Sequence, residues 1–505
     1  MSQTLTAPTA LFSPANFING CWSFEGDGTF NTVIDKYHGT VLAKIPHATE
    51  AQMEEAIAAA YAIRDAVRRM SAGERSAKLE ALAALIVKHE GELAQLIVQE
   101  GGKPIGYAKT EIARCITTVR TAAAEALRFG GEVVPLDFGA GVGRTAITKR
   151  FPIGVIAAIT PFNFPLNLVL HKVAPAMAVG CPVVLKPAPQ APLSALALGK
   201  LIEEVGWPKG AFSVLMCGVP VAEKLVKDER VAMLSFTGSD KVGWHLKSIC
   251  GKKKVALELG GNASVIVDEG TDLAVIAKTV AAGANLYAGQ TCISPDHALV
   301  HEAVMEAFLV AFAKHVKHFF GDDPQQSPHF ARIINDKRFA VLSTYLDQGT
   351  VRLGGMSDAA DRYIAPTVLT GVALDSAVMQ EEVFGPILPV VPWKEKEEVL
   401  AIVRRNPFPL STYIFTNDRG VERFFVEHVA FGGGCVNHCM LHFGNEALPF
   451  GGIGTSGQGH YHGRHSFERV SHAKGIVRRS LLIDPGVQYP PYSRLKERVL
   501  RWVLG

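Results

Sequence analysis

The chain has 505 residues, of which 48% are hydrophobic and 20% charged, with a net charge of +3. That is the composition of an ordinary soluble globular protein of two or three domains, and it makes no electrostatic case for a nucleic-acid partner. Eight cysteines without regular spacing fit reduced thiols, and the first six residues lack the basic start and apolar core of a secretory leader, so a cytoplasmic location is expected.

Residues 1–50 read as irregular or strand-like. From 51 to 128 apolar residues recur at three and four, as in Met53-Glu54-Glu55-Ala56-Ile57, which predicts amphipathic helices. A turn-rich patch follows at 137–144. Next comes a regular alternation: apolar strands at 153–159, 183–186, 212–216, 232–236 and 255–259, with helices over 166–179, 191–205, 220–227 and 240–249. Short apolar runs separated by helices predict a parallel sheet with right-handed crossovers, a doubly wound, nucleotide-binding type of domain. The most apolar stretch, 155–185, is broken by Asn163, His171, Lys172 and prolines, and so is no bilayer span. A second α/β region is expected over 262–430, then a Gly-rich segment ending in a short helix.

Gly139-Ala140-Gly141-Val142-Gly143 imitates a dinucleotide glycine loop, but it leads into a strand, so a hairpin turn is the preferred reading. Phe236-Thr237-Gly238-Ser239-Asp240-Lys241-Val242-Gly243 leaves a strand and opens a helix. Backbone N–H groups and a hydroxyl there suit a phosphate, though many plain strand-to-helix turns look the same. Lys186 ends a strand and is either a ribose or phosphate contact or a surface lysine. No carboxylate follows it before Glu203, whereas dinucleotide folds usually carry one nearby for the ribose.

Gly289-Gln290-Thr291-Cys292-Ile293-Ser294 places one cysteine after an Ala/Gly-rich helical run, with Leu257-Glu258-Leu259-Gly260-Gly261-Asn262 upstream. That supplies a nucleophile and a candidate base. An ordinary thiol is only a few per cent ionised at neutral pH, so Cys292 is either activated or a buried structural cysteine. The structural reading is preferred for Cys21, Cys115, Cys181, Cys217 and Cys250. Cys435, Cys439, His438 and His442 imitate zinc spacing without a matching second pair. No metal is expected there, nor at His460, His462 and His465, which read as a loop beside a substrate mouth.

Taken together, Thr160-Pro161-Phe162-Asn163-Phe164-Pro165, Leu185-Lys186-Pro187, Phe236-Thr237-Gly238-Ser239, the Glu258 and Cys292 segments, Glu381-Glu382-Val383-Phe384-Gly385-Pro386 and Pro449-Phe450-Gly451-Gly452 resemble the aldehyde dehydrogenase superfamily over about 15–480. The resemblance implies NAD(P)-dependent oxidation of an aldehyde to an acid. It implies Cys292 as nucleophile, Asn163 as oxyanion donor and Glu258 as the base that activates water. Thr160, Lys186, Gly238, Ser239, Gly243, Glu382 and Phe384 would meet the cofactor: Lys186 the adenosine ribose, Ser239 the pyrophosphate, Glu382 the nicotinamide ribose. A homodimer, with a tetramer as alternative, is implied as well.

The front half looks like lactaldehyde and non-phosphorylating glyceraldehyde-phosphate enzymes. The rear half, from Ser294-Pro295-Asp296-His297 to Gly459-His460-Tyr461-His462-Gly463, looks like class 3 enzymes acting on fatty or coniferyl aldehydes. This suggests a mosaic, natural or engineered, joined near Ile293. Pro189 stands where the family often has Glu, which predicts acceptance of NADP beside NAD. His297 stands where phosphoglyceraldehyde enzymes often have Arg, which favours uncharged aliphatic or aromatic aldehydes.

The fold expected is α/β in three parts. Residues 1–127 and 150–260 would bind NAD(P), 261–457 would be catalytic, and 128–149 with 476–488 would form a small bridging and oligomerisation sheet. The tail, 489–505, is a basic amphipathic helix. It is expected to pack on a partner or on its own surface in preference to a membrane. A CoA-acylating enzyme and a non-enzymatic protein of the same fold are the rival readings.

Overall fold

The computed structural model describes residues 11–504 apart from 129, 137–143, 479–481, 483–485 and 488. The helical expectation over 51–128 resolves into four helices, Glu50–Arg69, Ala72–Lys88, Glu90–Gly101 and Ile105–Arg128. The first two start on the side chains of Thr49 and Ser71, each accepting an N–H from the first turn.

The first large sheet has eight strands. Its centre is parallel, in the spatial order Phe212–Val214, Val183–Lys186, Val155–Ile159, Val231–Thr237, Lys254–Glu258. These are the five strands expected from the apolar runs. Antiparallel edges are added by Asn16–Ile18 with Cys21–Ser23 on one side and by Gly457–Gln458 on the other. Strand order runs one way from Val155–Ile159 and the other way from Val231–Thr237. Neighbouring crossovers therefore diverge there and leave a crevice at the carboxyl ends of the two strands, the position where open α/β sheets take ligands.

The second sheet has seven strands, in the order Thr350–Leu353, Thr367–Thr370, Ile387–Trp393, His297–His301, Ser264–Val267, Ser411–Phe415, Gly433–Val436. All but the Thr350–Leu353 edge run parallel. The chain crosses from the first sheet to the second through residues 259–263, which puts Glu258 at the seam, and returns through 437–456 to the edge strand Gly457–Gln458. Each sheet is buried in its own apolar core.

A three-stranded antiparallel sheet is formed by Val133–Val134, Thr145–Pro152 and Ser471–Arg478. Its last strand begins at Ser471, five residues before the arm expected at 476, because helix Gly463–Val470 runs directly into it. The turn expected at Gly139–Gly143 lies outside the described residues, although the strands on either side pair antiparallel, Val133 opposite Ile147. The final helix spans Arg494–Leu504, with Leu495 and Trp502 exposed. Among the described residues no helix is long and apolar enough to cross a membrane.

Candidate active site

The crevice at the switch point opens into a cavity of about 230 Å³. It is lined by Phe162, Asn163, Gly238, Ser239, Glu258, Gly260, Cys292, Arg338, Glu382 and Phe384, among others. Three chain segments from the first sheet thus meet three from the second: the Cys292 loop, the helix that carries Arg338 and the loop of Glu382 and Phe384.

Cys292 sits on a tightly wound loop. Helix Leu273–Asn285 is followed by a turn in which Tyr287, Ala288 and Gly289 all take positive φ, at 52°, 51° and 71°. Two of these carry a Cβ, so the surroundings must hold the strain. Gln290 does much of this: its Nε2 donates to Arg332 O at 2.9 Å and its Oε1 accepts from Ile334 N at 2.9 Å. Tyr413 donates its hydroxyl to Ile293 O at 2.6 Å. A Cβ at Gly289 would strike Gly385 O, so the cysteine loop and the Glu382–Gly385 loop touch backbone to backbone.

Asn163 is buried and donates one amide hydrogen to Gln290 O at 3.1 Å. Asn163 also lines the cavity, and among the described residues no second acceptor is bonded to its amide nitrogen, which can serve as the fixed donor that an oxyanion on a carbon bound to Cys292 would need. Burial, followed by the carboxylates of Glu382 and Glu258, pushes the Cys292 thiol well above the ordinary range.

Glu258 is the last residue of its strand and is almost wholly buried. Its Oε1 lies 3.1 Å from an Arg469 guanidinium nitrogen, and its Oε2 is buried without a hydrogen-bond partner among the described residues. Burial pushes its carboxyl up to about 7, against the opposing charges of Arg469 and Lys172. A carboxyl with that balance is a base near neutrality.

The opposite wall has the features a dinucleotide needs. Ser239 caps helix Asp240–Ile249 without spending its hydroxyl on the cap. A Cβ at Gly238 would lie 2.7 Å from the Phe236 ring, and one at Gly243 would strike Leu259. The two glycines therefore let the helix start lie close on the strands, at the positive end of the helix, where a phosphate would sit, although the Lys241 N–H is taken by Asp240 Oδ1 at 2.6 Å. Glu382 Oε1 and Thr160 Oγ1 are buried polar atoms with no partner among the described residues, as expected of groups that await a ligand. Phe384 meets Phe162 edge-on at 5.8 Å. Thr160, Lys186 and Gly243 are not among the lining residues, though the Thr160 N–H donates to Lys186 O. These residues fit a nicotinamide dinucleotide.

Sequence reasoning passed over three cations here. Arg338 lines the cavity and donates to Glu382 O at 2.9 Å. Lys172 donates to Thr237 Oγ1 at 2.7 Å, and burial pushes its amine down to about 7. Arg469 holds Glu258. Lys172 alone had left a signal, as a charge interrupting an apolar helix.

His297 does not face the cavity. Its ring lies between Asn262 Oδ1 at 2.5 Å and Ser264 Oγ at 2.9 Å, buried in the second sheet, so it is no ground for or against a charged substrate. Asp296 is likewise structural, accepting the N–H groups of Ala263 and Val383, each at 2.8 Å.

A second hollow reaches Cys292 from the other side, walled by Phe164, Phe443, Phe450 and Tyr461 with Arg114, His171 and His462. Glu446, His171 and His462 bring ligand atoms within 4.8 Å of one another. Burial drives both histidines to the neutral form, with the charge of Arg114 beside them acting in the same direction.

The aldehyde dehydrogenase family matches residues 22–476. The chain belongs to that family. It is 34% identical to the 3-sulfolactaldehyde dehydrogenase of Priestia megaterium over 482 residues, which is 94% of this chain and 99% of the relative. It is 38% identical to human aldehyde dehydrogenase family 3 member B1 over 360 residues, 70% of this chain and 76% of that one. The glyceraldehyde-3-phosphate dehydrogenase of Methanocaldococcus jannaschii, solved with NADP, superposes with a TM-score of 0.83 at 33% identity, covering 88% and 98% of the two chains. The Priestia match runs through Ile293, and nothing in these likenesses supports a join there. This aldehyde dehydrogenase oxidises an aldehyde with NAD(P) through a catalytic cysteine.

Proposed function

We propose that Cys292 is that cysteine, with Asn163 and the Cys292 N–H as oxyanion donors and Glu258 as the water-activating base. The observation that carries this is the single cavity in which Cys292, Asn163 and Glu258 face Gly238, Ser239, Glu382 and Phe384. The thiolate adds to the aldehyde carbon, and the oxyanion is held by the two donors. The bound dinucleotide supplies the acceptor for the hydride leaving that carbon. The thioester left on Cys292 is cleaved by water, whose proton passes to the free Oε2 of Glu258, and the acid departs. That unpartnered Oε2 favours hydrolysis over transfer to CoA.

Ser239 with the Gly238–Gly243 helix start takes the pyrophosphate, Lys186 the adenosine ribose, and Glu382 the nicotinamide ribose. Thr160 supports the same ligand and Phe384 lies alongside it. Pro189 is exposed and offers only its carbonyl, bonded by Asn31 Nδ2 at 2.8 Å, so no carboxylate repels a 2′-phosphate and NADP is accepted beside NAD. The aromatic walls of the second hollow suit uncharged aliphatic or aromatic aldehydes, with Arg114 offset by Glu446. The protein works in the cytoplasm as a homodimer, and its tail helix lies on protein rather than on a membrane.

Hexanal and benzaldehyde with NAD or NADP, followed by nicotinamide absorbance, test this reading. Turnover with both nucleotides, lost in Cys292→Ser, is expected. Turnover that needs CoA selects the acylating reaction instead, and activity that survives Cys292→Ser removes the proposed nucleophile.

A further inference from the structure

We propose that Arg469 is a positioning residue for the water-activating step: its guanidinium holds one oxygen of the Glu258 carboxylate so that the other faces the Cys292 cavity. The proposal rests on the reading of Glu258 as the base. The ion pair spans 3.1 Å, with the Arg469 and Glu258 side chains 9% and 3% exposed. Only one carboxylate oxygen is engaged; Oε2 is buried and unpartnered among the described residues. Glu258 lines the reaction cavity and Arg469 does not. Arg469 instead lines a basic groove behind the strand, beside Lys247, Lys254 and His460. It therefore touches the base from the rear and has no access to substrate.

The guanidinium is confined. Gly459, at φ +88°, approaches so closely that a Cβ there would lie 2.6 Å from an Arg469 nitrogen. Arg469 is also the penultimate residue of helix Gly463–Val470, which packs on helix Asn167–Val179 and continues into the three-stranded sheet. A carboxylate tethered at one oxygen to so fixed a donor loses its rotation about the last side-chain bond, which keeps the second oxygen aimed into the cavity.

The other groups facing Glu258 do not replace this contact. Lys172, from helix Asn167–Val179, is pushed down to about 7 by burial, so its charge fades through neutrality. Cys292 and Tyr461 interact with Glu258 as acids, and burial holds both protonated. The Gly452 N–H is a neutral donor. Around Arg469 itself stand Lys254, His460 and, against His460, His465. Arg469 is thus the one permanent cation bonded to the carboxylate among the described residues. Glu258 sits at about 7 with that cation in place. Removing it raises the carboxyl further, and the base is then lost at a higher pH.

The test is the pH profile of p-nitrophenyl acetate hydrolysis, which needs no nucleotide, together with kcat and KM for aldehyde oxidation, in R469Q, R469M and R469K. In R469Q and R469M the acid limb is expected to move up by at least one pH unit, a loss of about tenfold below neutrality that is regained in alkali. KM for the aldehyde should stay unchanged, and R469K should return the limb towards that of the unaltered enzyme. A loss of equal size at every pH, an unmoved limb, or a change confined to KM overturns the proposal. Glu258→Gln separates the two levels. If the unaltered enzyme has an acid limb that Glu258→Gln abolishes but R469Q and R469M leave in place, only the role of Arg469 fails. If Glu258→Gln leaves the limb, the reading of the base fails.

Discussion

Cys292 rests in surroundings that oppose its own ionisation. Burial and two carboxylates hold the thiol protonated, whereas nucleophilic attack needs the thiolate. Iodoacetamide labelling of the nucleotide-free enzyme, followed at Cys292 by mass spectrometry, should therefore keep accelerating with pH beyond the usual thiol range near ~8.5. A plateau at or below that range would show an already activated thiol. At this scale the sequence was informative where chemistry is chain-local. Cys292, Glu258 and Asn163 each stand in a short motif, and the structure brings all three to one cavity. Arg469 and Arg338 were not legible, because a lone arginine carries no sign of which buried group it faces. His297 was misread for the same reason, since its partners Asn262 and Ser264 lie across a strand pair in the second sheet.

Two helices of the cofactor-binding sheet begin without a side-chain cap of their own, Asn167–Val179 and Leu193–Val205. Their first N–H groups are met instead by buried carboxylates from elsewhere. Glu111 accepts from Leu166 N and Asn167 N, both at 3.1 Å, and Glu100 accepts from Leu193 N at 2.6 Å and Ser194 N at 2.9 Å. Glu111 also pairs with the fully buried Lys103. Glu111→Ala would strand that ammonium and uncap the helix, at a cost of about 3–5 kcal/mol. Urea unfolding should show it as a lower midpoint with an unchanged slope; a shift below about 1 kcal/mol would mean that Lys103 is neutral or finds water. Strand positions were legible to within two residues, because parallel strands buried on both faces are plain apolar runs. The strand Ser471–Arg478 was not, since all but its first residue are exposed and no apolar pattern marks its start.

The three-stranded sheet leaves apolar side chains in solvent, with Val133 75% and Val477 58% exposed. Such a surface suits a second copy of the chain. Val133→Glu with Val477→Glu should shift the enzyme to a smaller species in light scattering coupled to gel filtration, while the single-chain cavity keeps its residues. An unchanged mass would place the subunit contact elsewhere.

By itself the sequence determined the α/β alternation and the family and supplied the candidate residues for the chemistry, because apolar periodicity and short motifs are local properties of a chain. Only the tertiary structure decided which groups surround them. The cation behind Glu258, the carboxylates beside Cys292 and the glutamates capping two helices are all contacts between residues far apart in sequence. Their effects come from burial and charge at close range, which exist only once distant segments of the chain have packed together.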